Sequence, residues 1–130
     1  MIPTPVALGL FLCDRVIVDQ ATRCPTPVNI FTGRAVDQFP SDPQQFSIFA
    51  ALSDGAGQGT MELSVVHLDS GSQVFARGYP IRFPNRHTVV NVNVRIRQLR
   101  FPAIGTYEFL LWIDGTLVSQ RTLRVYQIEE

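Results

Sequence analysis

Two histidines, two cysteines and a few loop carboxylates are the residues with which this chain could do chemistry. His67 falls in a stretch that reads as a strand, and His87 follows Asn85-Arg86 in a turn. Neither belongs to a GxSxG, HExxH or Cys/His pattern. A triad can assemble in space without sequence adjacency, but a lone histidine is more often structural or solvent-facing, and both are read that way. Cys13 lies in an apolar run and reads as a small buried hydrophobe. With Cys24 it makes neither a disulfide framework nor a CxxC metal pattern. Asp54 and Asp114 each precede a glycine in a turn, and Asp14, Asp19 and Asp69 lie near other turns. Calcium sites gather such carboxylates, yet Asp-Gly is ordinary turn chemistry and no DxDxD loop occurs. Gly55, Gly57 and Gly59 form a turn with no helix behind it to receive a phosphate. The expectation is a non-enzymatic protein without catalytic residue, metal or cofactor.

Binding surfaces are better represented. Leu110, Trp112 and Val118 are expected to cluster on an outward sheet face; tryptophan is enriched in interface hot spots, and an outward apolar group usually has a cover. The competing reading is that a loop of the same chain covers them. Leu8 and Leu10 belong to Val6–Leu12 (VALGLFL), a first strand apolar on both faces, which is sandwiched or lies against another chain. Asn91, Asn93, Arg95 and Arg97 form a polar ladder, with Arg82 and Arg100 near it in sequence. Asparagine and arginine suit an anion, a glycan or an acidic partner, although outward strand positions are polar by default.

The elements that must position these residues read as strands. The 130 residues carry nine Gly and nine Pro, 45% hydrophobic and 17% charged side chains. That composition favours short strands and turns over long helices. Apolar segments fall at residues 5–18, Val28–Phe31, Phe46–Leu52, Met61–Leu68, Gln73–Ala76 and Thr88–Ile96. Phe46–Leu52 and Met61–Leu68 read as a hairpin about the loop Ser53–Gly59. Asp19–Pro27 reads as a connection, and Tyr79-Pro80 and Phe83-Pro84 as breaks. Gly105–Val125 is the closing hairpin, turned at Asp114-Gly115. A three-residue loop with Gly115 as a bulge best segregates its faces, placing Tyr107, Phe109, Leu111, Leu117, Leu123 and Val125 in the core. The whole predicts an all-β single sandwich over residues 1–130, with seven to eight mostly antiparallel strands and immunoglobulin-like or related topology.

Charge and compartment narrow the partners. The net charge is zero, with all eleven basic residues arginine, so no bulk electrostatic attraction to nucleic acid or an anionic membrane exists. The absence of lysine reads as the codon bias of a GC-rich genome. Val6–Leu12 is too short to span a bilayer and lacks a preceding basic segment and a following small-residue cleavage site. A cytoplasmic protein is expected, working by self-association or through a protein partner. The alternative is a ligand-binding sandwich for an anionic or sugar ligand on the polar ladder.

Cys13-Asp14-Arg15-Val16-Ile17-Val18-Asp19, Asn29-Ile30-Phe31, Phe39-Pro40 and the hairpin from Gly105-Thr106-Tyr107-Glu108-Phe109 to Asp114-Gly115 together resemble one family. It is a set of small prokaryotic proteins catalogued only as a domain of unknown function. The resemblance covers most of the chain and implies no activity, cofactor or catalytic residue.

Overall fold

A computed structural model describes residues 4–128, all-β and without a helix. The strands are β1 (Val6–Val18), β2 (Pro25–Ile30), β3 (Gly33–Val36), β4 (Gln44–Ser53), β5 (Gly57–His67), β6 (Gln73–Phe83), β7 (Val90–Leu99), β8 (Gly105–Ile113) and β9 (Thr116–Gln127). They form two sheets, ordered β2-β1-β4-β7 and β3-β9-β8-β5-β6. All pairings are antiparallel except β3 with β9. Among the described residues there are nine strands where seven to eight were expected. The additional one, β3, is four residues long, too short for alternation to mark it.

Period-two alternation accounts for how the sheets share a core. Val94 and Ile96 of β7 are buried and Val90 and Val92 half-buried, while Asn91, Asn93, Arg95 and Arg97 are exposed. In the other sheet, β8 buries Tyr107, Phe109, Leu111 and Ile113. Phe46 of β4 meets Phe109 edge-on across the gap, with ring centroids 5.9 Å apart. Each such buried ring contributes about 1.5–3 kcal/mol relative to an exposed one.

The closing hairpin corrects the expected loop. Ile113 pairs with Thr116, so Asp114 and Gly115 alone form the turn, with φ of 47° and 82°. Two left-handed residues make a type I′ turn, whose twist matches that of the strands. Asp114 holds it to β5: its carboxylate accepts from the Thr60 N–H at 2.8 Å, and its own N–H donates to the Thr60 carbonyl. The extra residue is Val118, which lies between the pairs Trp112–Leu117 and Leu111–Ser119. Beyond this bulge Leu123 and Val125 share the core face with Tyr107 and Phe109 as expected. Leu117 lies before it and is 42% exposed instead of buried.

Three further expectations change. β4 and β5 do not form a hairpin but belong to different sheets, so residues 54–56 carry the chain across the sandwich. A loose glycine-containing loop does not force its flanking strands to pair, and their apolar faces meet through the core instead. β6 runs on through Tyr79-Pro80 to Phe83, and β2 begins at Pro25 within the expected connection. Both lie at sheet edges, where a proline breaks no ladder.

One side of the sandwich is laced shut. The Phe31 N–H donates to the Leu12 carbonyl, after which the chain crosses to the other sheet as β3, and the Arg124 N–H donates to the Thr32 carbonyl. Arg34 on β3 lies 5.0 Å from the Phe31 ring and 5.4 Å from the Phe46 ring, and its Nε donates to Gln44 Oε1 at 2.7 Å. Arg121 on β9 donates from Nε to the Leu10 carbonyl at 2.7 Å and lies 5.3 Å over the Phe11 ring.

Candidate functional site

The outer face of the five-stranded sheet carries the tryptophan. Register places Leu110 beside Ser64 of β5 and Trp112 beside Glu62, with Ala76 and Gly78 of β6 next in those two rows. The Trp112 indole N–H donates to Ser64 Oγ at 3.0 Å, which fixes the half-buried ring against its own sheet. Its partner on β9 is Leu117. Val118, expected in this group, instead packs against the core because the bulge rotates it inward. The apolar group is therefore Leu110, Trp112 and Leu117. The signal for this was the Asp114-Gly115 pair itself, the strongest type I′ signature; parity could then be restored only by a bulge further along.

The outer face of the four-stranded sheet brings together the other expected residues. Leu8 is 59% exposed at a register shift in β1, whereas Leu10 is 1% exposed and belongs to the core, so Leu10 cannot serve as a contact residue. Asn93 pairs with Phe49, which pairs with Phe11, and Asn91 lies in the next row. Arg95 is committed within the fold: its Nη1 donates to the Asp14 carbonyl and, at 3.2 Å, to Ser47 Oγ. Only Arg97 of the ladder arginines makes no side-chain hydrogen bond among the described residues. Arg100 lies apart, at 3.5 Å from the Ser41 carbonyl.

The groups that could do chemistry are engaged in holding turns. His67 Nε2 lies 3.1 Å from the Ile104 carbonyl and Nδ1 2.7 Å from Ser70 Oγ. A carbonyl only accepts, so Nε2 donates and, in the neutral ring, Nδ1 accepts from the hydroxyl. The ring thus ties the β5–β6 turn to the linker before β8. Tyr107 OH donates to the Ala103 carbonyl and accepts from the Ala103 N–H, locking the same linker from below. Asp19 accepts from the Ala21 and Thr22 N–H groups, and these bonds lower its pKa from the ordinary aspartate value. Cys13 and Cys24 are free thiols; burial raises the pKa of Cys13. Among the described residues no three His, Cys, Asp or Glu gather as a metal site, and no helix is long and apolar enough to cross a membrane.

A family model described as a family of unknown function, DUF6941, matches residues 8–126, and the chain belongs to that family. No curated protein matches it.

Proposed function

We propose that this member of the family is a non-enzymatic, cytoplasmic protein-interaction module, acting by self-association or as a subunit of a larger assembly. Its contact surface is the outer face of the five-stranded sheet. The observation that carries this reading is Trp112: a large ring pre-set by Ser64, beside Leu110 and an exposed Leu117, on a sheet face. An aromatic whose rotamer is already fixed loses little entropy when a partner covers it. Two free cysteines accord with a reducing compartment. The strand order with its parallel β3–β9 pair, and the Tyr107 hydroxyl bonded four residues upstream, support immunoglobulin-like topology.

Sedimentation velocity over a concentration series tests the self-association form. The wild type is expected to form a concentration-dependent dimer that Trp112→Ala and Leu117→Glu each abolish. A wild type monomeric throughout, or a dimer unchanged in both variants, removes self-association through this face. The alternative of an anionic or sugar ligand on the polar ladder loses Arg95 to its internal bonds and retains Asn91, Asn93 and Arg97. A thermal-shift screen in which no anion or glycan raises the melting temperature would sink it.

A further inference from the structure

The second side of the sandwich, between β6 and β7, is built differently from the laced side. No hydrogen bond joins β6 to β7 among the described residues, and each is the last strand of its sheet. Four strands are therefore edges: β2, β3, β6 and β7. Edge strands are templates for pairing with another chain, and proteins blunt them with proline, shortness or charge. β2 contains Pro25 and Pro27, β3 is four residues long, and β6 contains Pro80. β7 has ten residues, VNVNVRIRQL, with no proline. It offers the longest proline-free backbone edge of the four, and its only protection is the charge of Arg95 and Arg97.

Two abutting grooves run along that edge. One, of about 320 Å³, has Met61, Tyr79 and Ile81 on one bank and Val92 and Val94 on the other. The next, of about 400 Å³, is flanked by Phe75 and Arg77 of β6 and by Arg97 and Gln98 of β7. Arg77 borders both. Arg77 and Arg97 are exposed and, among the described residues, have neither a carboxylate within ion-pair distance nor a side-chain hydrogen bond. A strand added to β7 would direct alternate side chains outward beside Arg97 and inward toward Phe75 and Tyr79. A second copy pairing through its own β7 about Ile96 would set Arg95 opposite Arg97, like charge against like.

We propose that the open β7 edge captures an extended acidic segment of a partner protein, which adds to the four-stranded sheet with its outward carboxylates beside Arg97 and its inward apolar residues against Phe75, Tyr79 and the stem of Arg77 between them. This site is separate from the Trp112 face, and either can fail without the other.

The probe is a capped synthetic peptide of alternating Glu and Val, with a Lys-Val peptide of the same length as its counterpart. Fluorescence anisotropy reads binding, and amide hydrogen exchange locates it. The Glu-Val peptide is expected to bind, to weaken on raising the salt, and to slow exchange in β7. Arg77→Glu with Arg97→Glu is expected to weaken it at least about tenfold, a change of about 1.4 kcal/mol. Trp112→Ala should leave it unchanged. Both arginines are exposed, so the variants keep the wild-type unfolding midpoint. Absence of binding up to about 1 mM peptide, a Kd worth about 4 kcal/mol, overturns the proposal and leaves the arginines as guards against edge-to-edge pairing. Equal binding of the Lys-Val peptide, or protection at β2 instead of β7, overturns it as well.

Discussion

The two sides of this sandwich close the same gap between the same two sheets by opposite means. On the β1–β9 side a strand switches sheets, and two arginines reach carbonyl or amide oxygens of the opposite sheet while lying over aromatic rings. On the β6–β7 side the strands simply end, with Arg77 and Arg97 exposed. Arginine is thus used in two ways. Where its guanidinium finds an acceptor inside the fold it is structural; where it finds none it is available to a partner. Arg95 shows that residue type and strand do not decide this. It lies on β7, two residues from Arg97, yet reaches back across the sheet to Asp14 and Ser47.

The sharpest break of the comparison is at Phe46. It lies edge-on to Phe31 at 5.6 Å and to Phe109 at 5.9 Å, with Arg34 beside its ring. Phe46→Ala should cost about 3–5 kcal/mol, the usual range for a buried ring. Tyr79→Ala on the open side, removing a half-buried ring, should cost about 1–2 kcal/mol because less area leaves water there. Urea unfolding of both variants measures the difference, and equal losses would mean that the two sides contribute alike.

Arg34→Met comes next. Burial lowers the pKa of its guanidinium, though an arginine remains charged. The variant retains most of the apolar stem but loses the bond to Gln44 and the position between two rings, at an expected cost of about 1.5–3 kcal/mol. Arg97→Met should change the urea midpoint by no more than about 0.5 kcal/mol, as for other exposed sites. A loss at Arg97 matching that at Arg34 would erase the distinction between committed and available arginines.

These arginines also mark where the sequence stops being readable. The alternation of β7 and β8 could be read directly because one face of each is buried and the other is not. The Leu110–Trp112 pair followed from the same period. The laces could not be read, since Arg121 meets Leu10 over 111 residues of chain and nothing local marks either one. Arg77 was missed because proline at Tyr79-Pro80 reads as an end, whereas an edge strand tolerates it. Leu117 and Val118 exchanged roles because parity constrains the sum of turn and bulge, not where the odd residue sits. The same limit hid the partition of β4 and β5 between sheets: hydrophobic patterning specifies which face is inward, not which strand is alongside.

A smaller effect sharpens the hairpin that bears Trp112. Gly115 has φ of 82° with open space where a Cβ would stand. Gly115→Ala therefore costs only its left-handed backbone, about 1 kcal/mol. Its expected readout is a lower urea midpoint with the Leu111–Ser119 register intact by NMR. A shift of that register would mean that the turn, not the bulge at Val118, sets which leucine meets Trp112.

The smallest expected effect is alkaline. Burial raises the Cys13 thiol on β1 and the Tyr107 phenol on β8, so the folded chain holds both protons to higher pH than the unfolded chain. The stability this contributes is fully present below the unfolded values, about 8.5 for a thiol and about 10 for a phenol. It is lost as pH rises through the folded values, because the unfolded state then binds fewer protons. Urea midpoints should therefore fall as pH is raised past about 9, with the thiol share absent in Cys13→Ala. Exchange corrected for intrinsic rate should follow that fall in β1 and β4, whose amides are laced in. The β7 amides that face away from β4 should not follow it, since among the described residues they have no bond to lose. If they slow and quicken with the core instead, the β6–β7 edge is closed in solution, and no incoming strand could pair with it.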